Sequence, residues 1–262
     1  MPVVPALATL AYEGRRGSFF ESQLVAALRI LQNGDVTPAA MTGSWAGAMG
    51  HTQFIPTSYL AYAVDFDGDG RRDIWSDDPT DALATTAAYL SRSGWRHGQP
   101  WGVEVRLPEG FTGPLGRGTT RPASSWEAAG VRDMDGRVVG DHGPASIVAP
   151  MGRAGPAFMV FPNFAVIGRY NNAENYMLGI GHLSDRLAGG PAIRAGFPPD
   201  VHGMTIEDRK ALQRGLAAQG YDVGAPDGVI GAKTTDAIAA WQARAGLPVT
   251  GEPSLQVLAA LP

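Results

Sequence analysis

The chain contains no cysteine. Disulfide bonds, cysteine-ligated zinc, iron–sulfur clusters and a cysteine nucleophile are therefore excluded. It also lacks a large excess of one charge: 21 basic and 25 acidic side chains leave a formal net charge of −4. That balance argues against a protein that binds nucleic acid through its phosphates. No apolar run reaches the roughly 18 residues of a membrane-spanning helix.

The N-terminus lacks the features of a signal peptide. The segment Met1–Ala11 is apolar, but no Lys or Arg precedes it and proline interrupts it at residues 2 and 5. A signal peptide needs a basic start and an unbroken apolar run. We therefore expect no signal peptide in this chain and interpret the segment as the interior of a folded domain.

The composition that is present predicts a folded protein rich in turns. Hydrophobic residues make up 44% of the chain, enough for a sizeable core, and 35 Gly and 20 Pro favour many turns. Short apolar runs between residues 100 and 165, such as Val138–Val139, predict short strands or loops. The stretch Gly196–Asp200 has no apolar periodicity and is interpreted as part of a linker.

Apolar residues recur at helical spacing in three main stretches, which are Gly17–Gln32, Asp81–Ser93 and Tyr176–Leu187. In the second stretch we predict that Asp81 caps the helix N-terminus and that Leu83 and Leu90 lie on its apolar face. Further short helices are predicted around Leu212 and Trp241.

An acidic loop begins at Asp65 and reads DFDGDGRRD. Carboxylates at positions 1, 3, 5 and 9, with glycine at position 6, match the calcium-binding loop of an EF-hand. The pattern predicts a structural Ca²⁺ held by Asp65, Asp67, Asp69 and the carbonyl of Arg71. Position 12 is a serine, so Asp81 is the best candidate for the closing carboxylate. The alternative is a solvated turn that binds no ion.

Two segments resemble families that act on bacterial cell wall. Residues 43–59 read GSWAGAMGHTQFIPTSY, and with the acidic loop they closely resemble the MltB family of lytic murein transglycosylases, over residues 1 to about 190. Residues 204 to 261 resemble the common peptidoglycan-binding domain, through Leu212–Gln213, Asp227–Gly231 and Trp241–Gln242.

The resemblance implies a fold and a division into domains. We expect an α+β, mainly α fold, with a lysozyme-like lobe, a small irregular β-containing insertion and a small three-helix module. The expected domains are a transglycosylase-like domain at 1–195 that lacks its N-terminal part, a linker at 196–203 and a peptidoglycan-binding domain at 204–262.

The resemblance also implies an activity, which is non-hydrolytic cleavage of the MurNAc–GlcNAc β-1,4 bond. A single Glu protonates the glycosidic oxygen and then acts as base while a 1,6-anhydro ring closes. None of the eight Glu of this chain lies in the family's Glu-x-x-x-Gly motif, and by register that Glu falls shortly before Met1. Glu13 and Glu21 are interpreted as surface residues. We therefore expect a lytic transglycosylase whose first residue is assigned downstream of the true start, so that residues 1–262 show little or no turnover. The alternative is a non-catalytic peptidoglycan-binding protein.

The other cleft residues carry over from the family. Substrate contacts are expected from Ser44, Gln53, Tyr170, Asn171, Tyr176, Arg15 and Arg16, the two arginines on the stem peptide. Five of these residues have a structural alternative: Ser44 as a turn cap, Asn171 as a helix cap, Tyr176 in the core, and the two arginines as a solvated pair. His51 is assigned no role. The expected partners are glycan strands and stem peptides, for a monomer in the periplasm or cell envelope.

Overall fold

The described residues, 1–14 and 16–262 of a computed structural model, form a mainly helical chain with one small sheet. The helices are α1 (Val3–Tyr12), α2 (Gly17–Asn33), α3 (Pro56–Tyr62), α4 (Thr80–Arg92), α5 (Ala123–Ala128), α6 (Pro162–Tyr170), α7 (Glu174–Leu187), α8 (Ile206–Ala218), α9 (Ala232–Arg244) and α10 (Leu255–Ala260). The strands are β1 (Gly102–Arg106), β2 (Arg132–Asp133), β3 (Ser146–Val148) and β4 (Ala157–Val160). The predicted α+β, mainly α fold is confirmed.

The chain forms two compact units. The first contains residues Met1–Gly102 and Phe161–Ser184, and the second contains Val103–Val160 and Asp185–Pro262. The division into domains expected from the sequence, at residues 195 and 204, stays a prediction.

Helix α2 is central to the first unit. It ends where Gly34 adopts the left-handed conformation with φ of 80°, as the Asn33–Gly34 pair predicts. Helices α1 and α3 both pack against α2, which buries the side of α2 that carries Ala27 and Ile30. Leu28, which the periodicity places with the apolar residues, is instead 50% exposed.

Two expectations for helix α4 are wrong. Asp81 does not cap the helix, because α4 begins at Thr80 and Asp81 lies in its first turn. The buried side carries Asp81, Ala82 and Thr85, while Leu83 is 61% exposed. The reason is tertiary: the Asp81 carboxylate accepts hydrogen bonds from the acidic loop, and the Thr85 hydroxyl accepts one from the backbone N–H of Val64 at 3.1 Å. These contacts turn the polar side of α4 inward.

The second unit contains the sheet, with strand order β2-β1-β4-β3 and antiparallel pairing of β3 with β4. The indole of Trp126 is fully buried beside it and donates to the carbonyl of Ala145 at 2.9 Å. Val138–Val139 form a loop, one of the two outcomes that the sequence predicted, and the turn before them is closed by hydrogen bonds between Arg137 and Asp133. Helices α8, α9 and α10 enclose their own core, in which Trp241 is buried.

Candidate functional site

The first unit contains a cavity of about 710 Å³, bordered by helices α4, α6 and α7 and by the loop between residues 48 and 53. It brings together four of the predicted substrate-binding residues, Gln53, Tyr170, Asn171 and Tyr176. The remaining lining residues are mostly aromatic, apolar or hydroxyl-bearing, namely Ala48, His51, Thr52, Thr86, Leu90, Trp95, Trp101, Ile167, Ile180, Gly181 and Ser184.

Aromatic rings form much of the cavity wall. Trp101 is nearly fully buried, and helix α7 approaches it closely because residue 181 is glycine: a Cβ there would lie 2.5 Å from the indole. The Tyr176 ring is half-buried. Burial raises the pKa of both Tyr170 and Tyr176, so their phenols remain neutral hydrogen-bonding groups at physiological pH. Flat apolar faces with polar rims suit the binding of sugar rings.

A buried amide holds the segment that carries the two tryptophans. Asn163, in helix α6, is 1% exposed. Its Oδ1 accepts from the backbone N–H of Arg96 at 2.8 Å, and its Nδ2 donates to the carbonyls of Arg96 and Gln99 at 2.9 and 2.8 Å. The loop between Trp95 and Trp101 is therefore fixed to α6.

Gln53 lies in the cavity in an unusual backbone conformation. Its φ is 54°, in the left-handed region that non-glycine residues rarely adopt. The side-chain Nε2 donates to the carbonyl of Gly50 at 2.8 Å, and the Tyr170 hydroxyl donates to the carbonyl of Thr52, the preceding residue. The surrounding hydrogen bonds thus hold the strained residue in place.

Asn171 and Ser44 both form local hydrogen bonds. Asn171 follows helix α6, and its Oδ1 accepts from the backbone N–H of Ala173 at 3.0 Å. Ser44 lies outside the cavity lining, and its hydroxyl accepts from the N–H of Ala48 at 3.1 Å, closing a turn. Their expected contacts with substrate stay predictions.

Of the two arginines expected to contact the stem peptide, Arg16 lies among the described residues. Arg16 is exposed, has φ of 57° at the start of α2, and its guanidinium lies 4.4 Å from the ring centroid of Phe19. Arg15 lies outside the described residues.

No carboxylate lines the cavity among residues 1–14 and 16–262. Glu13 is exposed directly after helix α1. Glu21 borders a separate groove on α2 and α3, together with Arg29 and Thr57. Neither is placed to protonate a ligand in the cavity.

The acidic loop brings three of its predicted ligands together. One carboxylate oxygen from each of Asp65, Asp67 and Asp81 lies within 4.8 Å of the others. Asp81 is 4% exposed and accepts from the N–H groups of Phe66 at 2.8 Å and Asp73 at 3.0 Å. Asp69 lies outside this group, and its Oδ1 accepts from the N–H of Arg71 at 2.8 Å.

Electrostatics at this cluster favour a cation. A backbone hydrogen bond from Asp69 lowers the pKa of Asp67, but desolvation and repulsion by Asp69, Asp81 and Asp65 outweigh it, so the pKa is raised. Three converging carboxylates are a donor set suited to a hard divalent ion such as Ca²⁺. The Asp65 carboxylate also accepts from the N–H of Gly70 at 2.9 Å, which closes the loop around the cluster.

Comparison with known proteins identifies the family. Residues 1–185 match the transglycosylase SLT domain, and residues 205–261 match the peptidoglycan binding domain. The chain belongs to the SLT transglycosylase family.

Individual relatives of this SLT domain are similar over much of the chain. The membrane-bound lytic murein transglycosylase B of Escherichia coli K12 is 34% identical over 193 residues, which are 71% of this chain and 51% of that protein. The chain therefore spans about half the length of this curated relative.

Solved structures agree with this assignment. SltB3 of Pseudomonas aeruginosa, solved in complex with NAG-anhNAM-pentapeptide, is 49% identical with a TM-score of 0.72, covering 100% of this chain and 70% of SltB3. Slt35 of E. coli, solved in complex with calcium, is 34% identical with a TM-score of 0.63, covering 72% of this chain and 59% of Slt35.

A buried ion pair connects the acidic loop to the core of the SLT domain, and sequence reasoning missed it. Arg72 donates to Asp35 through Nη2 at 2.6 Å and Nε at 3.2 Å, and Asp35 is only 6% exposed. The Tyr59 hydroxyl donates to the carbonyl of Arg72, and burial, followed by the Asp35 charge, raises the pKa of Tyr59 well above its usual range. The sequence shows that Asp35 follows a helix end and that Arg72 is the second arginine of the acidic loop. It contains no spacing rule from which the pairing of these two side chains could be predicted.

Proposed function

We propose that this protein is a peptidoglycan lytic transglycosylase by family, that glycan binds in the 710 Å³ cavity of its SLT domain, and that residues 1–262 by themselves lack the catalytic acid. The observation that carries the proposal is the set of tryptophan and tyrosine rings that surrounds Gln53 and Asn171 in that cavity. Aromatic faces contact the sugar rings, while the side-chain amides bind hydroxyl and acetamido groups. SltB3 was solved with a glycopeptide of this chemistry.

The proposed reaction cleaves the MurNAc–GlcNAc β-1,4 bond without water. A carboxylic acid protonates the glycosidic oxygen as its bond to C1 breaks, and the 6-hydroxyl of the muramyl residue then attacks C1. The resulting carboxylate takes the hydroxyl proton, so that a 1,6-anhydro ring forms and the acid is regenerated. Because the nucleophile belongs to the substrate, a second carboxylate is not needed.

Residues 1–262 are proposed to bind glycan but not to cleave it. No described residue that lines the cavity is a carboxylic acid, so the leaving oxygen would depart without a proton donor. Loss of such assistance costs roughly 10²–10⁴-fold in rate. The same observation favours the second candidate, a peptidoglycan-binding protein without catalysis.

Digestion of purified sacculi tests the activity. Residues 1–262 are incubated with sacculi, E. coli lytic murein transglycosylase B serves as the active control, and soluble products are analysed by mass spectrometry. We expect 1,6-anhydromuropeptides in the control only. Anhydro products released by residues 1–262 would contradict the missing-acid proposal, and Glu13→Gln and Glu21→Gln would then identify the acid.

Calorimetric titration with NAG-NAM-pentapeptide tests the cavity. Tyr176→Ala removes a ring from the cavity wall and should weaken binding by about 1–3 kcal/mol, the usual contribution of a stacked ring with its buried area. Tyr12→Ala is the matched control, because Tyr12 is 93% exposed and does not line the cavity. Equal affinities for both variants would place the glycan elsewhere.

The remaining predicted contacts complete the proposal. Ser44, Gln53, Tyr170 and Asn171 are proposed to bind glycan, and Arg15 and Arg16 to bind the stem peptide. The module at 204–262 is proposed to bind peptidoglycan independently, as its family match supports. We further propose a monomer that works in the periplasm or cell envelope. No helix among the described residues is both long and apolar enough to cross a membrane.

We further propose that the acidic loop binds Ca²⁺ with a structural role. Asp65, Asp67 and Asp81 already converge, and Asp69 with the carbonyl of Arg71 would add oxygen ligands. Bound Ca²⁺ would neutralise the repulsion among the carboxylates and cross-link the loop to helix α4. A calcium complex of the relative Slt35 supports this assignment.

Thermal melting tests the calcium site. Calcium added to chelator-treated protein should raise the melting temperature. At a calcium concentration 100 times Kd, binding should stabilise the folded form by about 2.7 kcal/mol. Asp67→Ala should remove most of that shift, whereas Asp77→Ala, an exposed carboxylate outside the cluster, should retain it. An unchanged melting temperature in the unsubstituted protein would show that the loop is only a turn.

A further inference from the structure

His51 connects the glycan cavity to the acidic loop. It lines the cavity beside Gln53, and its ring Nε2 lies 2.7 Å from the carbonyl of Ser76, in the segment that leaves the acidic loop. A carbonyl oxygen can only accept a hydrogen bond, so Nε2 carries the hydrogen in this arrangement. The backbone N–H of His51 also donates to the carbonyl of Ile74 at 2.9 Å.

The cavity loop is closed on itself and tightly packed at this point. Met49 and Phe54 pair through two backbone hydrogen bonds of 2.8 and 3.1 Å, so the residues between them form a short closed loop. Gly50 has φ of 62°, and a Cβ there would lie 2.4 Å from the carbonyl oxygen of Ile74. A displacement of Ile74 or Ser76 is therefore transmitted directly to the loop that holds Gln53.

The hydrogen bonds continue from Ser76 into the carboxylate cluster. The N–H of Ser76 donates to Oδ1 of Asp73 at 3.1 Å, and the N–H of Asp73 donates to Oδ2 of Asp81 at 3.0 Å. Asp81 is also the buried member of the cluster. One unbroken series of hydrogen bonds thus joins Asp81 to His51.

We infer that cation binding at the acidic loop and glycopeptide binding in the cavity are energetically coupled, with His51 as the positioning residue that transmits the coupling. The inference rests on the function proposed above for both sites. Without a cation, the carboxylates of Asp65, Asp67 and Asp81 repel one another, and the loop opens. A cation draws them together and fixes Asp73 and Ser76, which places His51 and, through it, Gln53.

The coupling is measured as a ratio of dissociation constants. Calorimetric titration of the full chain with NAG-NAM-pentapeptide, with calcium and with chelator, should show affinity raised at least about fivefold by calcium, in the usual range for coupled sites. Reciprocity requires that the glycopeptide raise calcium affinity by the same factor. In a parallel titration, Tyr176→Ala should reduce the heat of glycopeptide binding, which identifies the part of the signal that arises from binding in the cavity.

Variants of His51 decide whether this side chain transmits the coupling. His51→Ala should leave calcium binding and the calcium-dependent rise in melting temperature intact, but reduce the coupling factor toward one, because it removes the side-chain contact with Ser76 and leaves only the backbone contacts with Ile74. His51→Gln keeps an N–H donor at a similar reach and should restore most of the factor. His202→Ala, an exposed histidine that does not line the cavity, should behave as the unsubstituted chain.

The outcomes separate this inference from the proposed function. If both ligands bind but calcium does not change glycopeptide affinity, or if His51→Ala keeps the coupling factor, the inference is wrong and the proposed function stands. If calcium or the glycopeptide fails to bind, the proposed site itself is wrong and the coupling falls with it.

Discussion

Substitution of Gly50 by alanine is expected to destabilise the first unit through a specific collision. Gly50 has φ of 62°, and its added Cβ would lie 2.4 Å from the carbonyl oxygen and 2.7 Å from Cγ1 of Ile74. That carbonyl cannot easily move, because it accepts the 2.9 Å hydrogen bond from the N–H of His51. Relief of the collision therefore requires either a strained backbone or a broken hydrogen bond.

Gly98 provides a matched control for the magnitude. It has φ of 77°, but no atom lies within 4 Å of a Cβ built there. In both variants the left-handed conformation costs an alanine about 1–2 kcal/mol, and the entropic effect on the unfolded chain is the same. Gly50→Ala adds overpacking and the weakened His51 hydrogen bond, about 2–4 kcal/mol beyond the control.

Urea-induced unfolding, followed by near-ultraviolet circular dichroism, measures the difference. Gly50→Ala should lose about 2–4 kcal/mol more of the free energy of unfolding than Gly98→Ala. If both variants lose the same amount, the close approach between the cavity loop and Ile74 is wrong, and the coupling route through His51 loses its basis.

Three further substitutions test other contacts. Asp35→Ala leaves the guanidinium of Arg72 without its carboxylate and should cost about 3 kcal/mol in urea unfolding, the lower end for a buried pair because Arg72 is partly exposed; an unchanged midpoint would contradict this. Tyr170→Phe keeps the ring but loses one hydrogen bond, so about 1 kcal/mol of stability should disappear, with weaker glycopeptide binding by calorimetry and unchanged calcium affinity. The side-chain and backbone hydrogen bonds from Thr205 lower the pKa of Asp208, so its contribution to stability is complete above the unfolded pKa and is lost as the pH falls below about 4. Asp208→Asn should remove this residue's share of the fall in melting temperature at acid pH. An identical dependence of melting temperature on pH in the variant would show that Asp208 does not contribute in this way.

The amino-acid sequence was sufficient for features that depend on neighbouring residues. The end of α2 at Gly34 and the convergence of Asp65 with Asp67 follow from glycine stereochemistry and from alternate carboxylates. Each is determined within about a dozen residues, so no knowledge of the fold is needed. The long motif at residues 43–59 and the C-terminal module were likewise sufficient to identify the family, as the comparisons confirm.

Contacts between distant segments were decided only by the tertiary structure. Packing of α4 against the acidic loop turned Asp81 and Thr85 inward and left Leu83 exposed, the reverse of what its apolar periodicity indicates. The buried amide of Asn163 binds Arg96 and Gln99, which lie 67 and 64 residues earlier in the chain. It thereby fixes the segment that carries Trp95 and Trp101, whose rings both line the cavity.

The link through His51 is of the same kind. The His51 side chain is exposed, and the sequence by itself assigns it no role. Its inferred role depends on one hydrogen bond, to the carbonyl of Ser76, 25 residues further along the chain. A hydrogen bond of this kind depends on where two loops are held by the surrounding core. Local residue preferences carry no information about that distance, and only the packed chain determines it.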